Sequence, residues 1–395
     1  MTLDRYTVTP TPSADDEPHD DIVYPSPIPF VLVHVAALAA ILTGVTVQAL
    51  VICLVLYFVR MFGVTAGYHR YFAHRSFKTS RVVQFLLAWL AQSSAQRGAL
   101  WWATKHRHHH RHSDTDFDVH SPRHHGFWYA HVGWIFQSNA RETDYDAIRD
   151  FARYPDLVWL NRNRYLPAIV LGVATWFFFG WTGLVVGFIW STVLLYHGTF
   201  FINSLAHVHG SKRYITGDDS RNNWWLAIIT MGEGWHNNHH ACMASTRQGF
   251  RWFEWDPTYY ILKVLSWARI VSDINEPPAA LVRNERKLGR GMVEKVARQL
   301  TATLSVERMV EDLRVAWENT PTWDEVCERA RIARSEAVAM LSEMQLPHIP
   351  STDELRQRAQ EMFANAPSLD EIVARARELI FEAITAEMLP APSGA

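Results

Sequence analysis

Residues 22–59 read IVYPSPIPFVLVHVAALAAILTGVTVQALVICLVLYFV, 38 residues without an Asp, Glu, Lys or Arg. A helix rises 1.5 Å per residue, and about 20 apolar residues cross a bilayer. The stretch is therefore long enough for two spans and a tight turn, which Gly44 would supply, with Pro27 and Pro29 at the entry of the first helix. Residues 165–211 repeat the pattern over 47 uncharged residues, with Gly180 and Gly183 at the candidate turn. The sequence predicts an all-α integral membrane protein with four transmembrane helices in two hairpins. The competing expectation, a pair of buried helices in a large soluble protein, has to accommodate uncharged runs far longer than ordinary core helices.

Basic residues sit outside the hairpins. Arg60, Arg70, Arg75, Lys78 and Arg81 follow the first; Lys105, Arg107, Arg111, Arg162 and Arg164 precede the second; Lys212, Arg213 and Arg221 follow it. The inner turns carry none, so the positive-inside rule places both termini and the loops between the hairpins on the cytoplasmic side. Val82–Ala91 is apolar but too short to span and is expected as a core or interfacial helix. Residues 1–21 are acidic and polar, unlike the basic start of a signal peptide.

The rest of the composition narrows the chemistry. With 38 basic and 40 acidic residues there is no electrostatic case for a nucleic-acid partner. Cys53, Cys242 and Cys327 lie far apart and form no CxxC, which argues against a disulfide framework or a thiolate zinc site. The chain is instead rich in histidine, 20 in all, and in tryptophan, a residue of membrane interfaces.

Those histidines cluster. His69 and His74 follow the first hairpin; five residues apart on an α-helix, they diverge by about 140° and reach either two metals or one metal from a bent segment. His106, His109 and His110 have i, i+3, i+4 spacing, which puts them on one helix face, able to point into one cavity. His108 and His112 form an i, i+4 pair on another face and are expected at the surface or behind the ligands. His236, His239 and His240 repeat the HxxHH spacing. A lone histidine is most simply a satisfied core or surface residue, but so many imidazoles gathered without a metal would leave their lone pairs unorganised. Imidazole suits Zn, Cu, Fe and Ni, whereas a structural zinc site closes at four ligands and usually includes Cys. Eight histidines from three clusters suffice for two metals with open positions, and beside apolar helices this suits iron activating O2 against a lipid C–H bond.

The segments HRYFAH (69–74), HRHHH (106–110) and GEGWHNNHH (232–240) resemble the three histidine boxes of the membrane fatty acyl desaturases, of the delta-9, stearoyl-CoA and bacterial acyl desaturase type. Gly126–Trp134 and the segment Asn203-Ser-Leu-Ala-His207 are similar to further family segments, and the similarity covers roughly residues 25–275. The resemblance implies nine histidine ligands for two irons, here His69, His74, His106, His109, His110, His207, His236, His239 and His240, with Asn203 near one iron through water. His207 enters the set only through the resemblance; His131, His197 and His209 match no ligand and are expected to pack or to stand behind the ligands. It also implies O2 as co-substrate and two electrons from an external donor. The product would be a cis double bond, delta-9 in position, in an acyl-CoA or acyl-lipid chain held in an apolar tunnel. No protein acid or base is required. Lys105, Arg107 and Arg123 are candidates for a phosphate-bearing head group. The di-iron site is expected in a cytoplasmic helical cap, in the cytoplasmic membrane.

Some family members end in a fused haem domain with an HPGG motif, which this chain lacks, so the donor would be a ferredoxin or a separate b-type cytochrome with its reductase. The rivals are a membrane di-iron hydroxylase or alkane monooxygenase, told apart by its hydroxylated product, and a metal transporter. For transport, His34 and His197 are the only ionisable residues deep in the apolar stretches besides tyrosines.

Four regions result: a polar, disordered tail over 1–24, the desaturase-like domain over 25–275, a proline-marked boundary over 276–285, and a charged soluble helical extension over 286–395. Three stretches of the extension share one pattern, beginning at Pro321, Pro350 and Pro367. Thr322, Ser351 and Ser368 fall at N-cap positions, with Glu325, Glu354 and Glu371 completing capping boxes. A further helix is expected around Val306–Trp317. The extension is expected to pack on itself or on a partner; a donor docking role for it would fail if deleting 286–395 left donor-dependent turnover intact.

Overall fold

The computed structural model describes residues 27–115, 117–137, 143–318, 348–363 and 368–388. The expected tail over 1–24 and the Pro321 copy of the repeat lie outside them. The chain forms two compact units: one takes in the chain to Ala73 and Ser80–Ser204, the other His74–Thr79 and the chain from Leu205 onward.

The first unit is helical. Pro27 is the N-cap and Pro29 sits in the first turn of the helix Ile28–Ala37; the short helix Ala40–Thr43 then ends at Gly44, whose φ of 74° provides the turn. Thr46 caps the next helix, Val47–Phe62, by accepting the amide of Ala49 at 3.2 Å. In the second apolar stretch, Leu166–Thr182 breaks at Gly180 (φ 66°), and the chain then runs through Gly183–Ile189 into Trp190–Asn203. Gly183 is itself helical (φ −62°), so Gly180 alone makes the turn.

Among the described residues, Val47–Ala73 and Leu166–His207 are long and apolar enough to cross a membrane, and Ile28–Thr43 is apolar but shorter. Large apolar side chains on these helices face outward: Leu42 is 88 % exposed, Ile41 85 % and Phe177 74 %. Such a surface is unfavourable in water and suits hydrocarbon. With the short helix Arg81–Gln92, which buries Leu87, Ala88 and Ala91 and exposes Val82 and Leu86, the architecture is that of a membrane protein.

One boundary differs from expectation. The first hairpin does not end before Arg60; the helix continues as a π-helix from Gly63 to Ala73, every residue of which is buried. Arg60 is buried as well, donating to Thr192 Oγ1 (2.7 Å) and Ser191 Oγ and to the carbonyls of Leu56, Ser93 and Phe188. Hydroxyls and carbonyls replace its hydration, so the helix tolerates a cation in its middle. Arg60 and Arg70 are therefore buried side chains on helices.

The second unit contains the antiparallel pair Lys78–Thr79 with Val271–Ser272, the helices His236–Ala241 and Pro257–Trp267, and the extension. The helices Arg290–Thr301, Val306–Glu318, Thr352–Met362 and Leu369–Met388 supply an apolar core that includes Val296, Leu300, Leu355, Ile372 and Ile380. Ser351 and Glu354 form the expected capping box. Ser368 Oγ instead accepts the amide of Leu288 at 2.8 Å, tying the start of the last helix to the start of the extension. The extension's core also takes in Ile215, from the segment that follows the second apolar stretch.

Candidate metal centre

In the first unit, the helix Ala99–His112 carries His106, His109 and His110. Arg107 fixes its position: the guanidinium donates to the carbonyls of Phe72 and Ala73 (2.9 Å each) and of Ala147 (3.1 Å), and to both carboxylate oxygens of Asp150. The three imidazoles share a face but not a target. His106 Nε2 and His110 Nε2 stand 2.9 Å apart, and the ring of His69, on the π-helix, lies 4.5 Å edge-on from that of His106. The donor nitrogens of His69, His106 and His110 all lie within 4.8 Å of one another. His109 turns to Asp118, its Nδ1 donating at 3.1 Å, and its ring packs on His120.

The second unit repeats this split. His236 and His240 join His207, which sits on the 3-10 turn Leu205–His207; His207 Nε2 and His236 Nε2 are 3.0 Å apart. The donor nitrogens of His207, His236 and His240 lie within 4.8 Å of one another. His239 turns away and packs on His74, the ring centres 4.6 Å apart. In both boxes i and i+4 converge while i+3 diverges. The expectation of one cavity per box is corrected here: positions i+3 and i+4 differ by about 100° of helix rotation, too much for three short side chains to aim at one point. The estimate of 140° between His69 and His74 also lapses, since the segment is a π-helix with i→i+5 bonding up to Ala73.

Two carboxylates that spacing does not reveal complete the sites. Asp218 Oδ2 accepts His240 Nδ1 at 2.8 Å, and Asp118 does the same for His109. Burial opposes the ionisation of both, but His240 and His207 around Asp218, and His109 and His120 around Asp118, hold these carboxyls well below the usual carboxylate range. An ionised carboxylate on Nδ1 fixes the tautomer with Nε2 free of a proton, the arrangement of a metal-ligating histidine. Asp118→Asn is expected to weaken metal binding through His109 by about 10–100-fold, measured by metal titration of the purified protein.

The two asparagines inside GWHNNHH fasten the second ligand helix. Asn237 Oδ1 accepts the amides of Arg213 and Tyr214 at 2.8 Å each. Asn238 accepts from Asn222 (2.8 Å) and donates to Glu254 and to the carbonyl of Gln248 (2.9 Å each).

Asn203 ends the helix Trp190–Asn203 and lines a cavity of about 120 Å³ together with Trp102, Lys105, His106, His120 and Trp134. A second cavity of about 630 Å³ is lined by apolar side chains including Val33, Ile169, Trp176, Leu184 and Phe188; Pro29, Ala95, Tyr165 and Tyr196 border both. Of the head-group candidates, Lys105 is at the first cavity, Arg123 reaches the Asp114 carbonyl at 3.5 Å, and Arg107 has its donors turned into the protein. His108 and His112 pack on each other, 4.6 Å between ring centres. His34, His197 and His131 form a line, joined at 3.1 and 3.0 Å and ending on Ser204 Oγ at 3.0 Å. A line uses both nitrogens of its middle ring and does not converge as a ligand set must.

The donors present fit iron. They are imidazole nitrogens, those of His109 and His240 backed by carboxylates, and no cysteine joins the clusters among the described residues.

The sequence profile of the fatty acid desaturase family matches residues 46–264, more than half of the chain. The chain is 35% identical over 248 residues to the sn-1 stearoyl-lipid 9-desaturase of Anabaena variabilis, covering 62% of this chain and 91% of that one. It is 35% identical to the acyl-CoA C20 Delta5-desaturase of Anemone leveillei (57% of this chain, 73% of that one) and to the Delta-9 acyl-lipid desaturase 1 of Arabidopsis thaliana (59% and 77%).

Proposed function

Because the chain belongs to the fatty acid desaturase family, an oxidoreductase family of lipid metabolism, we propose that it is a membrane-bound fatty acyl desaturase with a di-iron centre. Its irons are held by His69, His74, His106, His109, His110, His207, His236, His239 and His240, with Asn203 acting through water. The observation that carries the proposal is the repeated split of the two HxxHH boxes, each with one imidazole backed by a buried aspartate. Bound iron supplies the O2-dependent removal of two hydrogens from adjacent methylenes, with two electrons drawn from a ferredoxin or a b-type cytochrome and its reductase. The product is a cis double bond, at the delta-9 position, in an acyl-CoA or acyl-lipid.

The chain's own residues do the positioning. Asp118 and Asp218 keep the Nδ1 protons of His109 and His240 in place. Lys105 lines the smaller cavity beside Trp102 and Asn203 and meets a head-group phosphate there. The larger apolar cavity takes the methylene tail, and burial of each CH2 there contributes roughly 0.8 kcal/mol. Four spans in two hairpins, with the irons and both termini on the cytoplasmic side of the cytoplasmic membrane, complete the proposal, with the desaturase domain over 25–275.

Expression in a host that lacks its own desaturase, followed by fatty-acid profiling, is the test. A new monounsaturated chain is the expected result. A hydroxylated chain without a double bond would move the assignment to a membrane di-iron hydroxylase, and no new acyl product with iron and reductant supplied would overturn it.

A further inference from the structure

The segment Ile215–Asp218 is shared residue by residue between two neighbours. Ile215 is buried in the extension's core among residues including Val293, Val296 and Leu300. The Gly217 carbonyl accepts the side-chain amide of Gln299 at 2.7 Å, and a Cβ at Gly217 would stand 2.9 Å from Met292 Sδ. The intervening residues serve the ligand helix. Asp218 Oδ2 accepts His240 Nδ1, and Thr216 Oγ1 donates to Asp218 Oδ1 at 2.6 Å, as does the Ser220 amide at 3.1 Å. On the other side, Asn237 pins the preceding residues Arg213 and Tyr214 to the same helix.

We infer that the helical extension is a positioning element for the metal ligand His240, with Gln299 and Ile215 holding the segment that presents Asp218. The inference rests on the proposal that His207, His236 and His240 bind metal. An extension that only buried its own apolar faces would have no need to bond the carbonyl directly before the carboxylate that orients a ligand. Gln299 is therefore a positioning residue, two hydrogen bonds removed from the imidazole. Loss of its amide frees the Gly217 peptide to rotate, and the carboxylate of Asp218 moves with it.

The test uses the full chain, purified in detergent, stripped of metal and titrated with Co(II), whose visible absorption reports its ligand field. Asp218→Asn is expected to weaken one class of Co(II) sites by about 10–100-fold, and Gln299→Glu, the same size without the donor, by about threefold to tenfold. Gln299→Lys, which keeps an N–H donor, is expected to stay close to the parent chain, and Ile215→Ala to behave like Gln299→Glu. Amide hydrogen exchange over residues 214–220 should quicken in Gln299→Glu while exchange in the Leu369–Met388 helix is unchanged. Unaltered Co(II) affinity in Gln299→Glu beside a weakened Asp218→Asn overturns the inference and leaves the metal assignment standing. A parent chain that binds no Co(II) overturns both.

Discussion

A His236→Ala chain is expected to lose its turnover and one of its irons together while keeping its helices. His236 Nε2 stands 3.0 Å from His207 Nε2, and its ring lies 4.4 Å from that of His240, so it is the residue through which the three donors of that set meet. Outer-shell partners of a metal contribute 10–100-fold in affinity, and deleting a ligand itself should exceed about a hundredfold. The side chain is buried, but its removal leaves the clamps at Asn237 and Asn238 intact, so the ligand helix should persist. Iron per chain by elemental analysis, with circular dichroism beside it, checks the result. Two irons retained per chain would remove His236 from the ligand set.

Gly234→Ala is expected to reach the same loss by a different path, through the backbone. A Cβ at Gly234 would stand 2.1 Å from the amide nitrogen of Ala227 and 2.4 Å from the carbonyl oxygen of Asn223. Both are main-chain atoms of the first turn of the helix Trp224–Ile229, which Asn223 caps by accepting the Leu226 amide. Neither can give way as a flexible side chain would. The Asn223 amide also donates to the Gly234 carbonyl at 2.7 Å, so separating the two strands of chain breaks that bond as well. Overpacking of this kind costs about 1–3 kcal/mol, and the clash with backbone puts this one at the upper end of that range. A lowered unfolding temperature together with reduced iron content is the expected pair of readings; a variant as stable as the parent would show that the segment can re-route around a methyl group.

The sequence carried a good deal of this. Uncharged runs at 22–59 and 165–211, with glycines near their middles, announced the apolar hairpins, and Gly44 and Gly180 turn the chain where expected. Two HxxHH boxes announced the histidine clusters. The features that were not legible depend on partners remote in sequence. Arg60 looked like a boundary charge because its acceptors, Ser191 and Thr192, lie some 130 residues away and are unremarkable by themselves. Asp118 and Asp218 lie in loops at no fixed spacing from the histidines they orient. Arg107 resembled a head-group ligand until the carbonyls of Phe72, Ala73 and Ala147 came round to meet it. The split within each box was latent in helix geometry, since sharing a face and sharing a target are different conditions once side chains are as short as histidine.

That split makes a single turn of helix into a ruler. On His236–Ala241 the imidazoles of His236 and His240 meet His207 while the next residue back, His239, meets His74, with only the helical pitch between them. The separation of those two pairings is thereby fixed by the most invariant dimension a polypeptide has. Inserting or deleting one residue inside either box would rotate one donor by about 100° against its fellows, an error no side-chain rearrangement could absorb. Loops elsewhere in the chain can lengthen freely, but the five-residue length of each box cannot.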